Sequence, residues 1–463
     1  MKIRVKNLGP LRQAEFELGD LTIICGANNT GKTYATYALY GFLSYWWEAH
    51  PIDVPIKNVG ELLSDGVTDL DIKPFISNAG DILHESCVAF TKKMPNVFAS
   101  SEKHFYGSEF QVDLNVDDVQ PIPSFERTMG STKTQLFSIS WKTDKPNVTI
   151  TLLVDKEKVR IPTIAIRRII GNAVKEIVFS NLLPHPFIAS AERTGAAIFR
   201  NDLNLAKNRL VEQMSSMEKE IDAFELLNKV YTDYALPVKN NVDFARRLED
   251  VAKRESFIVK EHGDILSAFA EIIGGEYKVT RNDELYYIPK GRRIKLTMDE
   301  SSSAVRSLVN IGFYLRHVAE RGELLIVDEP ELNLHPQNQR LVARLFARLV
   351  NIGIKVFITT HSDFIIKELN TLIMLKHNNQ HLMPIAKRES YKTEELLSAE
   401  KIRVYIAKED LVMLDNGHRR RTRCPTLKPA DIDPQYGISA PSFDLVIDKM
   451  NSIQEEIIWG GEE

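Results

Sequence analysis

The sequence predicts an α/β fold: a mixed sheet carrying an antiparallel β-lobe and a helical insertion subdomain. Three observations carry that prediction. The apolar run Leu21-Thr22-Ile23-Ile24-Cys25 leads into a glycine-bounded loop and then helical sequence. A second run, Leu324-Leu325-Ile326-Val327, ends in two carboxylates, and a third, Lys355-Val356-Phe357-Ile358-Thr359-Thr360, follows a helical stretch. Short apolar runs between helical segments are the pattern of parallel strands buried on both faces. A length of 463 residues allows one to three domains. With 43% apolar and 26% charged residues, the disordered and fibrous classes are excluded. No run approaches the roughly 18–20 apolar residues of a membrane helix. The opening Met1-Lys2-Ile3-Arg4-Val5 alternates like a strand, so no signal peptide is expected. Cys25, Cys87 and Cys424 lie far apart, which excludes a disulfide scaffold or zinc site and suits a reducing cytoplasm. A net charge of −4 means that any nucleic-acid contact must come from a local patch.

In chain order, residues 2–5 and 14–18 alternate around the turn Asn7-Leu8-Gly9-Pro10 and read as a hairpin. Gly26-Ala27-Asn28-Asn29-Thr30-Gly31-Lys32-Thr33 follows the next strand and opens a helix over 34–43. This is GxxxxGK[ST] in the strand–loop–helix context that it requires. Gly26 and Gly31 let the backbone curl so that its N–H groups face phosphate oxygens. Lys32 would reach the β/γ-phosphates of ATP, and the Thr33 hydroxyl would ligate Mg²⁺. Gly26, Asn28, Asn29, Thr30, Gly31, Lys32 and Thr33 are therefore the expected nucleotide-binding residues. Near the C-terminal third, Asp328 closes a strand where it would hold Mg²⁺ through water, the Walker B role. Glu329 stands where a carboxylate can act as general base toward the attacking water. A tight loop, Glu331-Leu332-Asn333-Leu334-His335-Pro336, leads to a helix over 337–350 and the strand 355–360. His361 follows at its carboxyl end, placed to hydrogen-bond a γ-phosphate.

These segments, Asp328-Glu329-Pro330-Glu331-Leu332-Asn333-Leu334-His335-Pro336 and Thr359-Thr360-His361-Ser362 with the phosphate loop, resemble the ATP-binding cassette heads of RecF/SMC/OLD-type ATPases. The resemblance implies an ABC-type P-loop head that works as a homo-oligomer of paired heads. Each head would then supply a signature loop to the γ-phosphate held by the other. The matching place, one helix before Walker B, is Glu300-Ser301-Ser302-Ser303-Ala304-Val305-Arg306-Ser307-Leu308. Both glycines of LSGGQ are replaced, leaving Ser303 and Ala304; Ser302 and Ser303 are the expected contacts, and a plain serine N-cap is the alternative. After the strand Pro186-Phe187-Ile188-Ala189, Glu192 or Arg193 stands at the Q-loop, where the resemblance implies coupling between the metal and the helical subdomain. An ordinary surface ion pair is the other reading.

The two nucleotide halves lie nearly 300 residues apart, so one head is assembled from both ends of the chain. The expected division is an N-terminal ATPase lobe over 1–195, a helical insertion over 196–276, a C-terminal lobe over 277–395 and an extension over 396–463. Residues 50–130 are weakly patterned and read as an insertion in the first lobe. Residues 135–154 alternate as a hairpin, 159–183 is helical, and 277–296 returns to strands. Leu205, Leu210, Val211, Met214, Met217, Ile221, Phe224 and Leu227 are spaced helically, but Pro237 interrupts the pattern before it could form a long coiled coil. In the tail, 403–414 reads as a strand pair turning at Lys408-Glu409-Asp410. Asp431-Ile432-Asp433 is a turn and not the metal site of a TOPRIM nuclease. Phe443, Val446, Ile447, Met450 and Ile453 suggest a final amphipathic helix, and His418-Arg419-Arg420-Arg421-Thr422-Arg423 is the densest basic run.

A head with neither TOPRIM domain nor long coiled coil resembles the stand-alone ATPase subunits of two-component antiphage systems such as Septu, PARIS and retron-associated ATPases. That resemblance implies an ATPase that senses a viral protein and controls a separately encoded nuclease or toxin. A RecF-like DNA-repair ATPase is one rival, and a nucleotide-gated scaffold with little turnover is the other. DNA or RNA contact would fall to the basic run. No membrane role is expected.

Overall fold

The strands Leu21–Gly26 and Leu324–Asp328 are buried at every position, and Lys355–Thr360 at every position but the first. Strands covered on both faces need no polar alternation, which is why all three appear in the sequence as continuous apolar runs. The computed structural model describes residues 1–131, 134–154, 162–198, 234–280, 284–377, 381–414, 421–439 and 449–457. They form two compact units.

One unit comprises residues 5–38, 95–108 and 187–463. Its six-stranded sheet runs in the order Arg421–Pro429, Ile402–Met413, Leu21–Gly26, Lys355–Thr360, Leu324–Asp328, Pro186–Ala189. The middle four strands are mutually parallel, with Ile24 beside Thr359 on one side and Tyr405 on the other. Parallel pairing brings Gly26, Asp328 and Thr360 to one edge of the sheet, where ligands bind in α/β folds. The helices Pro336–Asn351 and Asp363–Lys376 follow two of these strands. The first begins with His335, whose Nδ1 accepts the Gln337 N–H, and has Pro336 in its first turn, where the missing N–H does no harm. Ser362 caps the second by accepting from Ile365. A small antiparallel sheet, Gly275–Val279, Leu285–Pro289 and Leu296–Thr297, precedes the short helix Ser303–Ser307.

The other unit comprises residues 1–4, 39–94 and 109–186. Val67–Asp71, Asn147–Leu152, Thr134–Lys142 and Ser124–Ser131 make an antiparallel sheet, which is the expected β-lobe with its hairpin. Phe42, Phe90 and Phe110 pack within 6 Å of one another in its aromatic core.

Several sequence expectations change. The first lobe expected over 1–195 is divided between the two units. Residues 50–130 contain ordered helices, Ile56–Asp65 and Ala79–Thr91. The second buries Ala79, Leu83, Ser86, Cys87 and Phe90, a helical spacing hidden because three of the five are small. The supposed extension after 395 contributes Ile402–Met413 to the middle of the main sheet. No turn falls at Lys408-Glu409-Asp410: the strand continues, pairing Glu409 with Pro425 and Asp410 with Cys424. Those charges mimic a turn because they meet cations, Lys428 at 2.9 Å from Asp410 and Arg423 at 3.3 Å from Glu409. Asp433 pairs with Gly437 in a two-residue ladder, and the strand before it ends in exposed Lys428 and Pro429. The helical pattern between Leu205 and Leu227 and the first half of the basic run, His418 to Arg420, lie outside the described residues; Leu236–Arg246 and Gly263–Ile273 are helices. Of the final amphipathic helix, 449–457 is described, with Met450, Ile453 and Ile457 exposed.

Candidate functional site

The phosphate loop hangs between the strand Leu21–Gly26 and the helix Lys32–Glu48. Gly26 has φ +140°, and a Cβ there would stand 2.5 Å from the Ala407 carbonyl oxygen of the adjacent strand. At Gly31, φ +95°, a Cβ would meet Leu11 at 2.6 Å. Conformation and space both demand glycine at these two positions. Asn28 and Asn29 are exposed at the loop's crest, Asn29 with a left-handed φ of +62°. The Thr30 hydroxyl donates to the Ala27 carbonyl at 2.8 Å. Lys32 is buried, and its Nζ donates to the Gly26 and Ala27 carbonyls at 2.9 and 2.8 Å. Burial lowers its pKa, although Glu329, Asp328 and Glu331 all act on it in the opposite sense. Thr33 is half-buried at the helix start.

Asp328 is buried, and burial pushes its pKa up to about 6. The Thr359 hydroxyl donates to Oδ1, while Oδ2 is buried without a hydrogen-bond partner. An unpaired buried carboxylate oxygen is costly unless a cation or donor meets it. That is the chemistry a magnesium ligand requires, so Asp328 and the Thr33 hydroxyl fit the metal. Glu329 lies at φ +51°, a conformation costing a residue with a Cβ roughly 1–2 kcal/mol. Its N–H donates to Thr359, to the carbonyl at 3.2 Å and the hydroxyl at 3.1 Å. Strain held this firmly is characteristic of working sites.

Arg193 supplies the other half of that clamp. It is 1% exposed and donates to the carbonyls of Ser307 at 2.7 Å, Ser190 at 2.9 Å, Asp328 at 2.6 Å and Glu329 at 2.8 Å. Burial draws its pKa down to about 10. The neighbouring Glu192 accepts from the Tyr37 hydroxyl at 2.9 Å. Arg193 therefore ties the Walker B strand to the Ser303–Ser307 helix, and it is no surface ion pair. His361 is half-exposed, with Nδ1 3.2 Å from Glu331 Oε1 and 3.8 Å from Glu329 Oε1. The signature serines are engaged locally: Ser302 Oγ accepts from the Val305 N–H at 3.3 Å, and Ser303 Oγ from Arg306 at 3.1 Å. Ser302 is thus an N-cap in this state, the alternative allowed from the sequence.

Asp328, Glu329 and His361 therefore gather at the edge where the phosphate loop begins, and Arg193 joins that edge to the Ser307 carbonyl at the end of the helix that Ser302 caps. The sequence did not single out Glu331, Thr359 or Thr360. Two consecutive threonines ending a buried strand were the available signal, since a buried hydroxyl needs a partner.

The family model described as AAA ATPase domain matches residues 1–366. No curated protein matches the chain. Among solved structures, the SMC head domain from Thermotoga maritima is 10% identical, covering 93% of this chain and 98% of its own at a TM-score of 0.30. An SMC head bound to the C-winged helix domain of ScpA shows 11% identity over 93% and 97%, at 0.35. The Smc head with an extended coiled coil, bound to the C-terminal domain of ScpA derived from Pyrococcus furiosus, shows 12% identity over 98% of both chains, at 0.32. Scores this low transfer no residue role. The family model spans about four-fifths of the chain and contains the phosphate loop, both Walker carboxylates and His361, and the chain belongs to the AAA ATPase domain family.

Proposed function

We propose that the chain binds ATP with Mg²⁺, hydrolyses it between two paired heads in the cytoplasm, and uses the cycle to control a separately encoded nuclease or toxin in antiviral defence. A viral protein would be the trigger. The single observation supporting the ATPase part is the convergence of Lys32 with Asp328 and Glu329 at one edge of adjacent parallel strands. On nucleotide binding, the Lys32 ammonium exchanges its two carbonyls for β/γ-phosphate oxygens. Thr33 and Asp328 would hold the magnesium ion, which neutralises charge on those oxygens. Glu329 takes a proton from the attacking water as its oxygen bonds to the γ-phosphorus, and the bridging oxygen leaves with ADP. Ser302 and Ser303 of the opposite head would complete the γ-phosphate site. The defence role rests on resemblance of layout alone, a nucleotide-binding head assembled from both ends of the chain.

Glu329→Gln should retain ATP binding and slow turnover by about 10²-fold or more, because an amide cannot accept the proton. Lys32→Ala should weaken ATP binding itself. Unchanged turnover in the Glu329→Gln protein would remove that residue from the general-base role. One observation favours the scaffold alternative: both signature hydroxyls are occupied within their own loop. Tight ATP binding with no measurable turnover in the wild-type protein would establish that alternative.

A further inference from the structure

We infer that Glu331 is a positioning residue that sets the His361 ring and keeps it off the general base; this rests on the ATPase reading for what His361 touches. Glu331 is 6% exposed, in the loop after the Walker carboxylates. Its Oε1 accepts from the Thr360 hydroxyl at 2.9 Å and the His361 main-chain N–H at 2.7 Å, and lies 3.2 Å from His361 Nδ1. One carboxylate oxygen thus holds the backbone of His361 and stands within ion-pair distance of its ring. Burying a carboxylate is unfavourable, and merely closing a strand end would need only a neutral side chain.

The geometry has a chemical consequence. A carboxylate oxygen beside Nδ1 favours a hydrogen on that nitrogen, which leaves Nε2 as the nitrogen facing away from the loop's carboxylate. A carboxylate behind the imidazole fixes its tautomer and orientation, as it does for metal-bound histidines. Glu329 Oε1 is the competing acceptor, 3.8 Å from the same Nδ1. Without Glu331, the Nδ1 hydrogen would turn to Glu329 and occupy the oxygen needed for the water's proton. The following residue is braced as well, since the Ser362 hydroxyl donates to Gln339 Oε1 at 2.5 Å. His361 is thereby held between two tied neighbours.

The test combines kinetics with a ring spectrum. Steady-state ATPase and thermal unfolding would be measured for wild type, Glu331→Ala, Glu331→Gln, His361→Ala and the Glu331→Ala/His361→Ala double variant. Glu331→Ala should lower kcat on the order of tenfold or more, with KM for ATP changed less than about threefold. Glu331→Gln, which keeps an accepting oxygen, should recover most of the loss. The double variant should be no slower than His361→Ala alone. Multiplying losses, or wild-type kcat in Glu331→Ala, would overturn the inference. The imidazole ¹⁵N spectrum of His361, assigned by its loss in His361→Ala and recorded in mildly alkaline buffer, needs no Glu331 variant. The wild-type protein should show the Nδ1–H form, and an Nε2–H form would overturn the inference whatever the kinetics. Wild-type turnover in His361→Ala would instead remove the phosphate contact from the ATPase reading, and the ring spectrum would still decide the role of Glu331.

Discussion

Arg193 donates to four carbonyls in a place that water does not reach. A lysine there keeps the charge but loses the planar fork, so it cannot serve the Ser307, Asp328 and Glu329 carbonyls together. Arg193→Lys should therefore lower kcat more than it raises KM, because the left-handed backbone at Glu329 loses a clamp. Arg193→Met should also depress the melting temperature, each orphaned carbonyl contributing about 1–3 kcal/mol of destabilisation. A Met variant with wild-type stability and kcat would show the guanidinium to be idle. At this scale the sequence was legible wherever chemistry dictates spacing: Lys32 and Thr33 after the glycine loop, Asp328 and Glu329 after an apolar run. It left Glu192 and Arg193 as equals. The tight turn after Ser190 separates their partners, bringing the Arg193 N–H to the Ser190 carbonyl and sending Glu192 to Tyr37.

The helix Lys32–Glu48 carries the phosphate loop at one end and meets a buried cation at the other. Lys175, from the helix Thr163–Phe179, is 1% exposed and donates to the Trp46 carbonyl at 2.7 Å and to the His50 carbonyl. A cation suits a helix C-terminus. Burial wins nevertheless, helped by Arg168, and pulls the Lys175 pKa from 10.5 to about 8. The folded state thus binds the proton less tightly than the unfolded one. This contribution to stability is complete above about pH 10.5 and is lost as the pH falls through 8. Relative to Lys175→Met, the wild type should gain up to about 3 kcal/mol between pH 8 and 10.5, read from denaturant melts at both pH values. A pH-independent difference would mean that the ammonium is already solvated. Elements buried on both faces were easiest to recognise. Those whose buried positions are small, such as Ala79, Ser86 and Cys87, or whose exposed positions carry paired charges, such as Glu409 and Asp410, were not.

At the scale of the molecule, pairing of heads is the proposal most open to test. Ser303→Glu should abolish turnover while sparing ATP binding to single heads. Mixing it with Lys32→Ala should restore part of the activity, since one composite site of the mixed dimer is then intact. Absence of rescue after confirmed subunit exchange would argue against shared sites. Reversing Arg419, Arg420 and Arg421 to glutamate should leave basal hydrolysis unchanged and reduce either nucleic-acid retention or effector co-purification. If nucleic acid is the partner, its retention should fall steeply with salt. The joining of the two nucleotide halves across nearly 300 residues was legible from motifs alone. The place of Ile402–Met413 in the main sheet was not, because it lies beyond all the nucleotide motifs and its outer half carries charge.

That strand has a consequence for how the protein is made. Leu21–Gly26 has two sheet partners, Lys355–Thr360 and Ile402–Met413, and both are synthesised more than 300 residues after it. At about 5–20 residues per second the ribosome needs roughly 16–75 s to deliver them. During that interval an apolar strand has bare edges on both sides, the kind of surface that recruits the wrong neighbour. A ribosome that stalls between residues 362 and 402 releases a chain with every nucleotide motif present and the phosphate loop's strand still missing a neighbour. Such fragments should be inert and quickly cleared.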